Sequence, residues 1–186
     1  MSATSNLRED HRMVRRIHRM VRRYSEIIYG SGYVPVEDVK KILILVEMFI
    51  DAYHHFKEEC SYFPAVKGSM LEDEARALMV EHELGRRIAR MLNMNLDAWL
   101  REQGSEPVAR MLKAYAEYLY VHMDREERFF ASYDAMVQEQ EQSKIMDAFD
   151  TIRRERMGDD RLRLILSMLD ELEQRAGGYD YDDQGS

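Results

Sequence analysis

His54-His55-Phe56-Lys57-Glu58-Glu59 and His122-Met123-Asp124-Arg125-Glu126-Glu127 are two copies of one pattern, His-x-x-(Lys/Arg)-Glu-Glu. Both lie in segments of helical character. A helix turns roughly 100° per residue, so positions four apart share a face, about 6 Å apart along the axis. Each copy therefore presents an imidazole beside a carboxylate. Two such helices packed together bring two nitrogens and two carboxylates to one place. That is a ligand set for a transition metal, and better still for a pair of them.

The surrounding sequence supplies the helices. Helix one is expected from about Leu7 to Tyr29, capped by Ser5 or Asn6 and ended by Gly30-Ser31-Gly32. Helix two should run from Val36 to Val66. Pro35 suits its start, Glu37 and Asp38 suit the positive end of its dipole, and Pro64 predicts a kink or early stop. Gly68 breaks the chain, and Ser69 with Glu72 resembles a capping box. Helix three then reaches about Met94. The stretch Asn93 to Gly104, with the only tryptophan (Trp99), reads as a loop or short helix, and helix four runs from near Pro107 past Tyr133.

Four long segments with short connections predict an all-α, up-down-up-down four-helix bundle over about residues 5–136. Residues 137–176 read as an extension of two shorter helices broken near Gly158. Leu162, Ile165, Leu166, Met168, Leu169 and Leu172 would pack it on the bundle. The acidic tail, 177–186, is expected to be disordered. The whole chain, 1–186, is expected to be a single domain.

Composition narrows the function classes. With 186 residues the chain can bury a sizeable core. Its formal charge of −8 argues against general binding to nucleic acid or anionic membrane. One cysteine, Cys60, allows no intrachain disulfide, which suits a reducing cytoplasm. The start, Met1 to Arg8, has no apolar signal core, and the longest apolar run, Ile42 to Val46, is too short to span a bilayer. Cytoplasmic location is the expectation.

Six histidines are available: His11, His18, His54, His55, His82 and His122. A bundle site draws its ligands from facing helices. His11 falls on helix one, His54 and Glu58 on helix two, His82 on helix three, His122 and Glu126 on helix four. His55 could equally pair with Glu59, but matching the two copies selects His54 with Glu58. His55, Glu59 and Glu127 then point about 100° away, to stand behind the ligands or in solvent. His18 shares the face of His11 but lies roughly 10 Å further along the axis. It reads as a hydrogen-bonded or partly exposed histidine.

These stretches resemble the hemerythrin-like family, also called HHE cation-binding proteins. The resemblance runs through Glu9-Asp10-His11-Arg12, His54 to Pro64, Glu81-His82-Glu83-Leu84-Gly85-Arg86 and His122 to Glu127, with the helix-two stretch the most specific. Residues 137–158 also resemble the amphipathic extension of bacterial and archaeal members. The resemblance implies a four-helix bundle holding two non-haem irons, bridged by carboxylates and an oxo or hydroxo group. It implies His11, His54, Glu58, His82, His122 and Glu126 as metal ligands, with Glu58 and Glu126 bridging. Members bind dioxygen reversibly, sense oxygen, iron or nitric oxide, or break down peroxide.

One departure stands out. Oxygen-carrying members have two histidines four apart on helix three, whereas Leu78 and Arg86 flank His82 at that spacing here. With four histidines, each iron would have two nitrogens, and water, hydroxide, a tyrosine or an open position would complete it. A smaller departure is Arg128-Phe129-Phe130-Ala131 after the second copy, without a proline.

Three function classes follow from these residues. The first is a di-iron protein that binds or senses dioxygen or a related oxidant (nitric oxide, peroxide). The second is a di-iron enzyme of catalase or oxidase type. The third is a helical interaction module with an incidental metal site. A ferritin-type site is disfavoured, because no histidine here has Glu three residues before it. Tyr53 and Tyr120 lie near the ligands in sequence, though packing is the ordinary role of such residues. Met20, Met48, Met79, Met91, Met111 and Met123 read as core filler, and Cys60 as a buried inert thiol. The arginines of helix one, Arg8 to Arg23, make a basic face that either pairs with the acidic remainder or docks a protein partner.

Overall fold

Why helix one begins where it does is a matter of burial. In the computed structural model, which describes residues 2–101 and 104–182, α1 spans Ala3–Ser31. The cap is Ser2, whose side chain accepts from the Ser5 N–H, and not Ser5 or Asn6. Ala3 and Thr4 are fully buried, so packing adds a turn that capping preference alone places outside the helix. Gly32 ends it at φ 68, the left-handed conformation that glycine adopts without strain.

Helix two is continuous in direction but not in pitch. An α-helix, α2, covers Val36–Leu45. It runs into a π-helical segment at Val46–His55, a second at Glu58–Tyr62, and a 3₁₀ turn at Phe63–Val66 that takes in Pro64. The expected regular α-helix is thus corrected over its second half. Helix three, α3, spans Glu72–Trp99, so the first part of the stretch read as a loop or short helix continues the helix. Its capping box does not form. Ser69 Oγ instead accepts from Leu71 N–H, and the Glu72 carboxylate reaches back to Gly68 N–H.

α4 spans Glu106–Met136, and α5 spans Glu139–Ile152. A π turn at Arg153–Met157 ends at Gly158 (φ 60), and α6 spans Gly158–Asp182. The expected disordered tail is corrected for residues 177–182, which continue α6. Extending an existing helix needs no new nucleus. Residues 183–186 of that tail lie outside the described residues. No strand occurs among the described residues.

Cross-helix pairs fix the topology as up-down-up-down. Arg8 meets Asp134, and Ser25 meets Ala109, so α1 and α4 are antiparallel. Lys57 meets Asp10, and Tyr24 meets Asp38, so helix two opposes α1. His82 meets Glu59, and Asp51 meets Arg86, so α3 opposes helix two. α6 lies on α1 and α2 through buried Ile165, Leu169 and Leu172, with Arg16 bonded to Asp170 and Glu173 and Arg175 to Asp38. The basic face of α1 therefore pairs in part with the acidic side of α6.

The methionines divide. Met20 and Met123 are buried and Met48 and Met111 partly so, but Met79 and Met91 are exposed, as is Cys60. No described helix is long and apolar enough to cross a membrane.

Candidate metal centre

Seven polar side chains meet in the middle of the bundle: His11, His54, His55, Glu58, His82, His122 and Glu126. Each is 2% exposed or less. They form two adjoining groups. His11, His54, Glu58 and Glu126 each offer one ligand atom within 4.8 Å of the others, and so do His55, His82 and His122. All six residues expected from the sequence are brought together. His18 is not: it lies half-buried beside Tyr120, with ring centres 6.3 Å apart.

His55 is the residue that sequence reasoning placed outside. Its ring stacks on His82 at 3.8 Å and stands edge-on to His122 at 5.6 Å. The reason is the π-helical segment. An i→i+5 bonding pattern widens the turn, so each residue advances by less than the roughly 100° of an α-helix. Neighbours His54 and His55 therefore both face inward. The imidazole missing at Leu78, which is a fully buried apolar residue, is matched by one from helix two. The signal in the sequence was the His-His doublet itself, flanked by apolar positions that overrun one α-helical face.

Glu126 lies between the two groups. Its Oε2 is 3.1 Å from His11 Nε2, while Oε1 is 3.0 Å from His122 Nε2 and 3.3 Å from His82 Nε2. Glu58 Oε2 is 3.7 Å from His54 Nε2 and 3.5 Å from His82 Nε2. Burial, followed by repulsion from Glu126, pushes the Glu58 carboxyl well above its ordinary range. Burial also works against the Glu126 carboxylate, but the His122 charge and bonds from His11, His122 and His82 outweigh it and hold that carboxyl well below. Two carboxylates this close in a dry interior call for a proton or a cation between them.

The outer nitrogen of every histidine faces a carboxylate. His11 Nδ1 is 2.9 Å from Glu127, His82 Nδ1 is 2.7 Å from Glu59, and His122 Nδ1 is 2.9 Å from Glu81. His54 Nδ1 faces Asp10 at 3.5 Å and His55 Nδ1 faces Asp51 at 3.7 Å. At His11, His82 and His122 a carboxylate accepting from Nδ1–H favours the neutral tautomer that leaves the Nε2 lone pair inward, which is how metal-binding histidines are oriented. Glu59 and Glu127, for which two positions were open, stand behind inward-facing histidines and not free in solvent.

Cations hold those carboxylates in turn. Lys57, itself 1% exposed, bonds Asp10 at 2.6 Å; Arg86 bonds Asp51 and Glu59, each at 2.6 Å; Arg125 pairs with Glu81. Arg8 and Arg15 bond Glu127, each at 3.0 Å. The bond from His11, then burial working against it, then Arg8 hold the Glu127 carboxyl down to about 2.

Both Glu58 oxygens and His55 Nε2 are buried without a hydrogen-bond partner. Buried polar atoms are nearly always satisfied. Inward lone pairs and inward carboxylates left together are satisfied by cations, so the residues present fit a metal. A pocket of about 560 Å³ between helix two and α3 reaches His55 and Gly85 from the surface. At Gly85 the Tyr118 ring packs so closely that a Cβ would meet it at 2.6 Å, and that ring stacks on His122 at 5.3 Å.

Among known proteins, a family model described as the hemerythrin HHE cation-binding domain matches residues 2–133. No curated protein and no solved structure matches the chain. The matched span takes in α1, all of helix two, α3 and most of α4, and with them all seven converging residues. The chain therefore belongs to the hemerythrin HHE cation-binding family, and is a metal-binding helical protein.

Proposed function

We propose that the centre holds two iron ions and that the pair binds or senses dioxygen or a related small oxidant. The observation that carries this reading is the position of Glu126, with one oxygen toward each imidazole group. A carboxylate so placed suits a bridge between two ions, and Glu58 sits beside it. Nitrogen and oxygen donors without thiolate suit iron. With three imidazoles in one group and two in the other, these residues would hold the two ions unequally. An iron pair, when bound, supplies reversible redox chemistry toward a small oxidant.

The chain's own residues do the rest. Asp10, Asp51, Glu59, Glu81 and Glu127 orient the rings, while Phe63 packs against His82 and Phe129, and Phe130 against His11, to exclude water. A second reading, turnover of peroxide, draws support from the pocket that leads to His55. The two readings separate in one experiment. Protein loaded with ferrous iron without air is mixed with dioxygen or with hydrogen peroxide and followed by absorption. A stable spectrum reversed by removing oxygen supports binding or sensing, and rapid repeated loss of peroxide supports the enzyme. Iron loading with no spectral response to either would sink both.

A further inference from the structure

One buried phenol outside the metal centre has a proton route built onto it. Tyr62 is fully buried, four residues beyond Glu58. Its hydroxyl lies 2.6 Å from Thr4 Oγ1, and Thr4 Oγ1 donates to Asp134 Oδ1 at 2.5 Å. A hydroxyl has one proton to donate, so with Thr4 committed to Asp134, Tyr62 is the donor to Thr4. The chain of bonds therefore runs one way, from the buried phenol through Thr4 to a carboxylate that is 37% exposed.

The same ring is linked to the centre from two sides. Phe130 stacks on His11 at 5.3 Å and meets Tyr62 edge-on at 5.5 Å. On the other side Phe63 stacks on His82 at 5.8 Å, meets Phe129 at 5.5 Å, and Phe129 meets Tyr62 at 6.2 Å. We propose that Tyr62 is a one-electron donor to the metal centre, with its proton leaving through Thr4 to Asp134. This rests on the reading of the centre as an iron pair open to peroxide.

The step balances with hydrogen peroxide as oxidant. Peroxide breaks its O–O bond and takes two electrons and two protons to become two waters. A ferrous iron gives one electron and Tyr62 the other. The Tyr62 O–H bond breaks as its proton moves to Thr4 while the Thr4 proton moves to Asp134. Asp134 returns that proton to solvent, and solvent supplies the protons of the waters. The products are ferric iron and a neutral Tyr62 radical.

Tyr133, Tyr118, Tyr53 and Tyr120 each lack one of the two requirements. An oxidised phenol is a strong acid, so losing an electron in a dry interior needs a proton acceptor in place. Tyr133 stacks on Tyr62 at 3.8 Å, but its buried hydroxyl has no partner, and neither has that of Tyr118. The Tyr53 ring has the Lys57 ammonium 4.2 Å from its centre, which opposes the loss of an electron. Tyr120 is mostly exposed. Burial pushes the Tyr62 phenol up against the lowering effect of the Thr4 bond, so the proton leaves with the electron and not before it.

The test uses full-length protein loaded with iron, poised half-reduced, mixed with hydrogen peroxide and freeze-quenched for electron paramagnetic resonance. Wild type should give an organic radical whose hyperfine pattern narrows when ring-deuterated tyrosine is incorporated. Tyr62→Phe should abolish it and Tyr133→Phe should not. Thr4→Val keeps Tyr62 in place, and should slow radical formation roughly 10²-fold, the scale set by a lost positioned proton acceptor. Thr4→Ser should restore it, which a merely structural role for the hydroxyl bridge does not predict. Iron oxidised by peroxide with no tyrosine radical, or a radical that survives Tyr62→Phe, overturns the proposal and leaves the iron centre standing. Iron that does not load, or loads and ignores peroxide, removes the centre's reading and the proposal with it.

Discussion

Helix two and α4 carry the same six-residue pattern and use it at different pitch. In α4 the pattern is regular: His122 and Glu126 face inward one turn apart, with Nε2 and Oε1 separated by 3.0 Å. In helix two the flanking backbone is π-helical, His54 and Glu58 open to 3.7 Å, and His55 turns inward as well. One copy yields two inward groups and the other three. The pattern's remaining positions do the same work in both. The basic residue (Lys57, Arg125) holds the carboxylate behind its own copy's leading histidine. The last glutamate (Glu59, Glu127) stands behind a histidine of a neighbouring helix. Helix pitch, not residue count, therefore sets how many donor groups a helix turns inward.

Glu126 should matter most, because it turns one oxygen toward each group. Glu126→Ala is expected to remove nearly all bound metal, and a variant that keeps both ions by mass spectrometry would break the proposed division of labour. His55→Ala comes next. If the π-helical turn delivers a fifth imidazole to the metal, this variant should lose or loosen one ion while keeping its circular dichroism. Unchanged metal stoichiometry and affinity would return His55 to a packing role.

Glu59→Gln probes the shared last position, and should weaken metal binding by roughly 10- to 100-fold, the usual cost of losing a carboxylate behind a ligand histidine. Titration with a competing chelator measures it.

Acidity gives a graded test. In the metal-free protein burial disfavours the His11 cation, but bonds to Glu126 and Glu127 raise its titration above the ordinary 6.5. Its contribution to metal-free stability is thus fully present below 6.5 and lost as pH rises through the raised value. Metal must displace that proton, so affinity should climb with pH, by up to about tenfold per unit below the raised value. A flat affinity profile would exclude His11 as a ligand. The smallest effect is expected from His18→Ala, which lies outside both groups and should leave metal content unchanged.

Much of this was legible in the residues. Helical periodicity and few breakers gave the bundle; spacing within the repeats gave four inward residues on two helices, and the histidines of the other two helices, with the family resemblance, added His11 and His82. Pitch was not legible, since no single residue announces a π-helical turn. In that segment Val46, Phe49, Ile50 and Tyr53 are all buried, and it touches α1, α3 and the turn at Arg153–Met157, contacts that a single helix's sequence does not contain. The carboxylates behind the histidines were also hidden, because they pair across helices: Glu81 is next to His82 in sequence yet serves His122. Ser2 as the cap of α1 depends likewise on the burial of Ala3 and Thr4, which local preference does not contain, whereas the Ser69 box gives way to other local bonds.

The most direct test is the metal content of protein purified without chelator or nickel and reconstituted with ferrous iron, read by mass spectrometry beside Mössbauer spectroscopy. The account predicts roughly two irons per chain, magnetically coupled and in unequal environments. One iron per chain, or two that are uncoupled, would contradict a centre bridged by Glu126.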